Sequence, residues 1–146
     1  MIPKFRVWDT VKKAMSEVQA IVYTEERVYP IYSKTTRRYI PFSEAILMQP
    51  TGLFDANGKE IFEGDVFTYL DDDNNPIYEN IVVKFGQHKN MDTIYERGPV
   101  YIGLYVEVQK GTATLEIDSM YNDCEGRLTI IGNIYENPEL LEVLND

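Results

Sequence analysis

The chain is built from short runs of apolar and aromatic residues that are separated by Asp, Asn, Gly and Pro. The clearest runs are residues 5–8 (FRVW), 101–108 (YIGLYVEV) and 128–133 (LTIIGN). Eleven tyrosines and six phenylalanines strengthen this pattern, because aromatic side chains favour β-strands. Many short strands at close spacing, with turns between them, predict a mainly β domain folded as a small barrel or roll.

Further strands are predicted at residues 20–24, 28–32, 61–62, 66–70, 81–85 and 112–117. Pro30 lacks the N–H that a central strand position needs, so we expect it at an edge or a bulge. Ser43 is a competent cap for one helical turn. A short C-terminal helix is predicted where Asn137 precedes Pro138 and Glu139. The predicted class is α+β, mainly β.

Charge is distributed unevenly along the chain, whose net charge is −10. Residues 1–40 hold eight basic and four acidic residues, and the remainder holds six basic and twenty acidic residues. The acidic run at residues 71–73 is interpreted as a solvated hairpin tip. Most of such a protein repels a phosphate backbone. The split indicates either ordinary solubilising charge or a basic segment that meets an acidic surface, on its own chain or on a neighbour.

The chain contains one cysteine, Cys124, and one histidine, His88. These counts exclude an intrachain disulfide and a four-ligand Cys/His zinc set. Neither residue lies in a sequence typical of a nucleophilic pair, and glycine-rich phosphate loops are absent from the sequence. No catalytic, cofactor-binding or metal-binding residue is predicted, and we do not expect an enzyme.

Residues 47–67 (LMQPTGLFDANGKEIFEGDVF) place acidic and amide side chains between apolar runs. A calcium loop would need an oxygen ligand at its first position and a Glu at its twelfth, where this chain has Leu53 and Gly64. The calcium interpretation therefore fails. Residues 57–58 (NG) instead favour a tight turn, which Asp55 can brace by accepting backbone N–H groups.

One basic segment is interleaved with aromatic residues, at residues 32–39 (YSKTTRRY). Such a segment can contact a nucleic-acid backbone and stack on a base. It can equally be an exposed loop that pairs with an acidic protein surface, and we favour this interpretation because most of the chain repels phosphate. The predicted contact residues for either partner are Tyr32, Lys34, Arg37, Arg38 and Tyr39.

Three stretches together carry a family resemblance: residues 4–9 (KFRVWD), 47–66 (LMQPTGLFDANGKEIFEGDV) and 130–141 (IIGNIYENPELL). In this order they resemble the YopX family of small phage and prophage proteins, and the resemblance covers the whole chain. It implies an α+β protein with an SH3-like barrel roll in its C-terminal part, a phage or prophage origin and the cytoplasm of a bacterial host. It implies no reaction, since the family is one of unknown function.

The predicted organisation is a β-rich segment at residues 1–46 packed on the barrel roll at residues 47–146, as one compact unit. The favoured function is a non-enzymatic protein-interaction module that binds an unknown protein or a second copy of itself. The alternative is a role with nucleic acid, by direct binding through residues 34–38 or by acidic mimicry of DNA. No cofactor is expected. No apolar run has the length of a membrane span or a signal peptide, so a cytoplasmic protein without membrane contact is predicted.

Overall fold

A computed structural model describes residues 4–31, 37–88, 101–108, 113–124 and 127–140. Within these residues nearly all regular structure is β-strand, which confirms the mainly β class. The chain divides into two compact units, Met1–Pro50 and Thr51–Asp146. The predicted boundary after residue 46 and the packing of the first segment on the second stay predictions.

The first unit is a single antiparallel sheet. Its elements are β1 (Arg6–Asp9), β2 (Ala14–Val22), β3 (Arg27–Pro30), β4 (Ile40–Pro41), a 3₁₀ turn (Phe42–Glu44) and β5 (Ala45–Met48). The strands are hydrogen-bonded in the order β4-β3-β2-β1-β5. Alternate residues of a strand point to opposite faces, and one face supplies a buried core of Val7, Val28 and Ile40, against which Val18, Phe42, Ala45 and Leu47 pack.

Two local predictions in the first unit can be checked directly. The pairing of β2 with β3 skips Gln19, which forms a β-bulge beside Pro30 and confirms the position predicted for this proline. The 3₁₀ turn at Phe42–Glu44 confirms the predicted helical turn. The prediction that Ser43 caps this turn was wrong, because Pro41 occupies the cap position and no side-chain hydrogen bond caps the turn.

Besides the helical residues Glu139 and Leu140, the described residues from Pro50 onwards form seven further strands and one helix. They are β6 (Pro50–Phe54), β7 (Glu60–Phe62), β8 (Asp65–Leu70), β9 (Pro76–His88), β10 (Tyr101–Val108), β11 (Ala113–Glu116), α1 (Ile117–Asp123) and β12 (Leu128–Asn133). Strands β6 and β7 form a separate hairpin, and the others form a sheet in the order β11-β10-β9-β8-β12.

The second sheet is open in the described part of the chain, whereas an SH3-like barrel roll was expected. Its hydrogen-bonded order ends at β11 on one side and at β12 on the other. A closed barrel would require these two strands to pair. The outer side of β12 instead bonds to the β6–β7 turn, where the Ala56 N–H donates to the Leu128 carbonyl at 2.8 Å.

The core of the second unit lies against one face of this sheet. It consists of Ile61, Phe67, Ile81, Val83, Val106, Val108, Ile117, Met120, Cys124 and Leu128. Helix α1 was not predicted, although Ile117, Met120 and Cys124 are spaced as on one helical face. Of the predicted C-terminal helix, Glu139 and Leu140 are helical, and its remainder lies outside the described residues. No helix among those described has the length and apolarity needed to cross a membrane.

Candidate functional site

Asp55 organises the turn between β6 and β7. Its Oδ1 accepts the backbone N–H groups of Asn57 and Lys59, each at 2.9 Å. Its Oδ2 accepts the N–H of Ile130 in β12 at 3.1 Å. Gly58 has a φ of 82°, a left-handed conformation that glycine adopts readily. The predicted brace is therefore confirmed, and it also joins the turn to a strand far along the chain.

The environment of Asp55 favours its ionised form. Burial raises the pKa of this carboxyl, but hydrogen bonds from the backbone N–H groups of Lys59, Ile130 and Asn57 outweigh burial and lower the pKa below its ordinary value of 3.8. The residue is 7% exposed. Its oxygens are engaged by the backbone, so the geometry assigns Asp55 to the fold rather than to metal binding or proton transfer.

The stretch at residues 130–141 is held by two asparagines. Asn133 Oδ1 accepts the N–H groups of Tyr135 and Glu136 at 3.0 and 2.8 Å. Asn137 Oδ1 accepts the N–H of Asn133 at 3.2 Å, and the Asn137 N–H donates to the Asn133 carbonyl at 2.9 Å. The side-chain oxygen of Asn137, predicted to cap the C-terminal helix, thus bonds backwards to Asn133.

Gly132 is required by the position of the Asn137 side chain. A Cβ at Gly132 would lie 2.8 Å from Asn137 Cγ and would overlap its Oδ1. The neighbouring backbone also bonds to the turn before β8, because the Ile134 N–H donates to the Gly64 carbonyl at 2.9 Å. The second and third resembling stretches are therefore joined by the Asp55 side chain and by backbone hydrogen bonds.

Arg37 fixes the β1–β2 turn of the first unit. Its Nε and Nη2 donate to the two carboxylate oxygens of Asp9, both at 2.8 Å, and its Nη1 donates to Glu44 Oε2 at 2.7 Å. Asp9 Oδ1 also accepts the backbone N–H groups of Val11 and Lys12, each at 3.0 Å. The Asp9 side chain is 4% exposed, so Arg37 neutralises a carboxylate that is almost withdrawn from solvent.

This arrangement shifts the titration of both partners. Burial raises the pKa of Asp9, but hydrogen bonds from Arg37, Lys12 and Val11 outweigh burial and lower the pKa below its ordinary value of 3.8. Hydrogen bonds to Asp9 and Glu44 raise the pKa of Arg37 above its ordinary value. All three guanidinium nitrogens of Arg37 are therefore engaged within the first unit.

An aromatic and basic surface lies on β3 and the segment before β4. The guanidinium carbon of Arg27 lies 4.0 Å from the centroid of the Tyr39 ring, a cation–π geometry. A hydrogen bond from Arg27 to Tyr29 raises the pKa of Arg27, and the Tyr29 hydroxyl donates to Glu25 Oε1 at 3.0 Å. The two tyrosine ring centroids are 6.2 Å apart. We call Arg27, Tyr29 and Tyr39 the tyrosine–arginine surface.

The five predicted contact residues have different surroundings. Tyr32 and Lys34 lie outside the described residues. Arg37 is ion-paired within its unit. Arg38 is exposed, and Tyr39 is 38% exposed with Arg27 over its ring. Their use as contacts for a partner stays a prediction.

Sequence reasoning missed two members of the tyrosine–arginine surface, Arg27 and Tyr29. They are two residues apart on β3, a spacing that places both side chains on the same face of the strand. Val28 between them points into the core. The alternation of residues 27–30 was therefore the signal that could have identified them.

Cys124 and His88 are the two residues that the sequence offers as a nucleophilic pair. Cys124 is buried in the core of the second unit, and its thiol donates to the Met120 sulfur at 3.6 Å. The side chain of His88 lies outside the described residues. Among the residues that the structure describes, no three His, Cys, Asp or Glu side chains are grouped to hold a metal ion.

The fold and its bonded motifs define a two-unit, mainly β protein. The chain matches the model of the YopX protein family over residues 4–142, and it belongs to that family. The crystal structure of protein EF1440 from Enterococcus faecalis is similar, with a TM-score of 0.55 and 28% sequence identity, over 97% of this chain and 99% of that one. A search of curated proteins gave no match.

Proposed function

We propose that the chain is a non-enzymatic protein-interaction module that contacts its partner through the tyrosine–arginine surface and the adjacent Arg38. The observation that carries the proposal is the position of Arg27, whose guanidinium carbon lies 4.0 Å from the centroid of the Tyr39 ring. Arg and Tyr are enriched among the residues that dominate binding energy at protein interfaces. A side chain that is already held in place loses less conformational entropy on binding.

The charge of the first unit favours a partner with an acidic surface. Residues 1–50 contain eight basic and five acidic residues. The planar guanidinium of Arg27 presents N–H donors that suit carboxylates, and Arg38, which precedes Tyr39 in the chain and is exposed, adds a second cation. Arg37 contributes by holding the β1–β2 turn through Asp9, rather than by contacting the partner.

Nucleic acid is the alternative partner. Direct binding would use the same cations and stack bases on the tyrosines, but the net charge of −10 opposes it. Mimicry would use residues 51–146, which contain six basic and nineteen acidic residues, to occupy a DNA-binding protein. In each version the proposal places the protein in the cytoplasm of a bacterial host, with the phage or prophage origin that the family resemblance implies.

The test is a pull-down from nuclease-treated bacterial lysate with tagged protein and mass spectrometry. Arg27→Glu is compared with the wild type and with Lys4→Glu as the charge-matched control, because Lys4 is an exposed cation of the same unit that is not part of the tyrosine–arginine surface. We expect the wild type and the control to retain the same protein and Arg27→Glu to lose it. Equal retention by all three proteins would rule out this surface.

The same experiment separates the alternatives. If nucleic acid is recovered when nuclease is omitted, and Arg27→Glu no longer recovers it, the partner is nucleic acid that binds directly rather than a protein. The mimicry interpretation predicts a different result. The protein would retain a DNA-binding protein, added DNA would release that protein, and Arg27→Glu would have no effect.

A further inference from the structure

We infer that the partner of the tyrosine–arginine surface is a second copy of this chain, which presents the tip of its β8–β9 hairpin. We call Asp72 and Asp73 the acidic tip. This inference rests on the proposed function and names its partner. It depends on the division of charge between the two units, the geometry of the tip and the cations Arg27 and Arg38, of which Arg27 shares its surface with one acid, Glu25.

Each copy carries both of the charges that such a contact needs. Residues 1–50 have three more basic than acidic residues, and residues 51–146 have thirteen more acidic than basic ones. Two tyrosine–arginine surfaces facing each other would bring Arg27 and Arg38 against like charges, which disfavours that contact. The acidic unit of a second copy is the complementary surface.

The acidic tip is held in one shape. Asp71 Oδ1 accepts the N–H groups of Asp73 and Asn75 at 2.9 and 2.8 Å, and the Asp71 N–H donates to the Asn75 carbonyl at 2.8 Å. Asn74 completes the turn with a φ of 63°. This turn presents Asp72 and Asp73 to solvent without further ordering on binding.

Asp72 must exchange one cation for another when the second copy binds. Its carboxylate is 2.7 Å from Arg127 Nη1, and its side chain is 88% exposed. Such an exposed ion pair contributes little to stability. Exchange of Arg127 for an arginine of the second copy therefore costs little, and Asp73 adds a second carboxylate to the contact.

The net charge of −10 on each copy opposes association at long range. Salt screens charges separated by more than about 10 Å at 0.1 M ionic strength, whereas pairs in contact are screened less. Moderate salt therefore reduces the repulsion first, and high salt weakens the contact itself. Self-association should be strongest at intermediate ionic strength.

The test is gel filtration with light scattering of the full chain over a range of protein and salt concentrations. We expect a mass of two or more copies of 16.9 kDa at intermediate salt, falling towards one copy at both extremes. Arg27→Glu with Arg38→Glu, or Asp72→Lys with Asp73→Lys, should weaken self-association about tenfold or more. Lys4→Glu, an exposed change before β1, is the control and should have no such effect.

A mixture of the two charge-reversed variants, Arg27→Glu with Arg38→Glu and Asp72→Lys with Asp73→Lys, gives a second measurement. Its expected result is a gain of binding rather than a loss. The acidified surface of one variant then faces the basic tip of the other, so association should return in the mixture. A single-copy mass at every concentration and salt would overturn the inference. Capture of a different protein from lysate would in that case still support the proposed function.

Self-association that is unchanged by Arg27→Glu with Arg38→Glu would have a different meaning. It would overturn both the inference and the assignment of the tyrosine–arginine surface, because copies would then meet elsewhere. Failure of the mixture to associate, when each variant is folded by circular dichroism, would exclude the acidic tip as the complementary surface.

Discussion

The carboxylate of Asp55 accepts the backbone N–H of Ile130 at 3.1 Å, although the two residues are 75 positions apart. Asp55 lies in the second of the three stretches that resemble the YopX family, and Ile130 begins the third. The bond from the Ile134 N–H to the Gly64 carbonyl joins the same two stretches. Asp55, one of the residues that carry the family resemblance, therefore has a role in folding.

Replacement of Asp55 by Ala should destabilise the protein by about 3 kcal/mol, because three partly buried N–H groups lose a charged acceptor. Asp71→Ala is the matched control. Asp71 Oδ1 accepts N–H groups two and four residues ahead, as Asp55 does, but its turn is an exposed hairpin tip. We expect that control to cost about 1 kcal/mol or less in urea unfolding. Equal costs would contradict a role for the bond to Ile130.

Acid should destabilise the protein through Asp9 and Asp55. Both carboxyls have pKa values below 3.8 in the folded chain, so the folded state binds their protons more weakly than the unfolded state. Their stabilisation is complete well above pH 3.8 and is lost as the pH falls through the lower folded-state values. Urea midpoints measured at decreasing pH should fall less steeply for Asp9→Asn and Asp55→Asn than for the wild type.

Gly132→Ala should destabilise the protein by about 2 kcal/mol, because the new Cβ displaces the Asn137 side chain and its bond to Asn133. Thermal unfolding measures the change. In an Asn137→Ala background the same substitution should cost less, since the overlapping amide has been removed. A cost that is identical in both backgrounds would show that the overlap is not its cause.

Arg37→Ala should lower the free energy of unfolding more than Arg38→Ala does, although the two residues are adjacent and of the same type. Loss of Arg37 leaves the nearly buried Asp9 carboxylate without its ion pair and should cost about 2 kcal/mol in urea unfolding. Loss of Arg38, which is exposed, should change stability by less than about 0.5 kcal/mol. If the ranking were reversed, the ion pair with Asp9 would not be what holds the β1–β2 turn.

Local chemistry made part of this fold predictable. The turn at Asp55 and the bulge at Pro30 follow from the backbone preferences of a few neighbouring residues, and both are confirmed. Most strands were also predicted, because alternation is visible within a short window. Helix α1 was missed because it has only seven residues and directly follows β11.

Contacts between distant residues were not predictable from one sequence. Nothing near Arg37 indicates that it bonds to Asp9, which lies 28 positions earlier. The basic segment was therefore interpreted as one uniform surface, whereas the structure separates a bonded Arg37 from an exposed Arg38. Asp55 was predicted to brace its own turn, but its bond to Ile130 depends on how β12 is placed beside β8.

The position of the β6–β7 turn also bears on solubility. Among the described strands β12 ends its sheet, and an open sheet edge is where a strand from another molecule can add and start aggregation. Asp55 and Ala56 occupy the Ile130 N–H and the Leu128 carbonyl on that edge. A chain whose turn has been loosened would therefore expose a template for intermolecular β-pairing, and it would precipitate on storage before it lost its remaining structure.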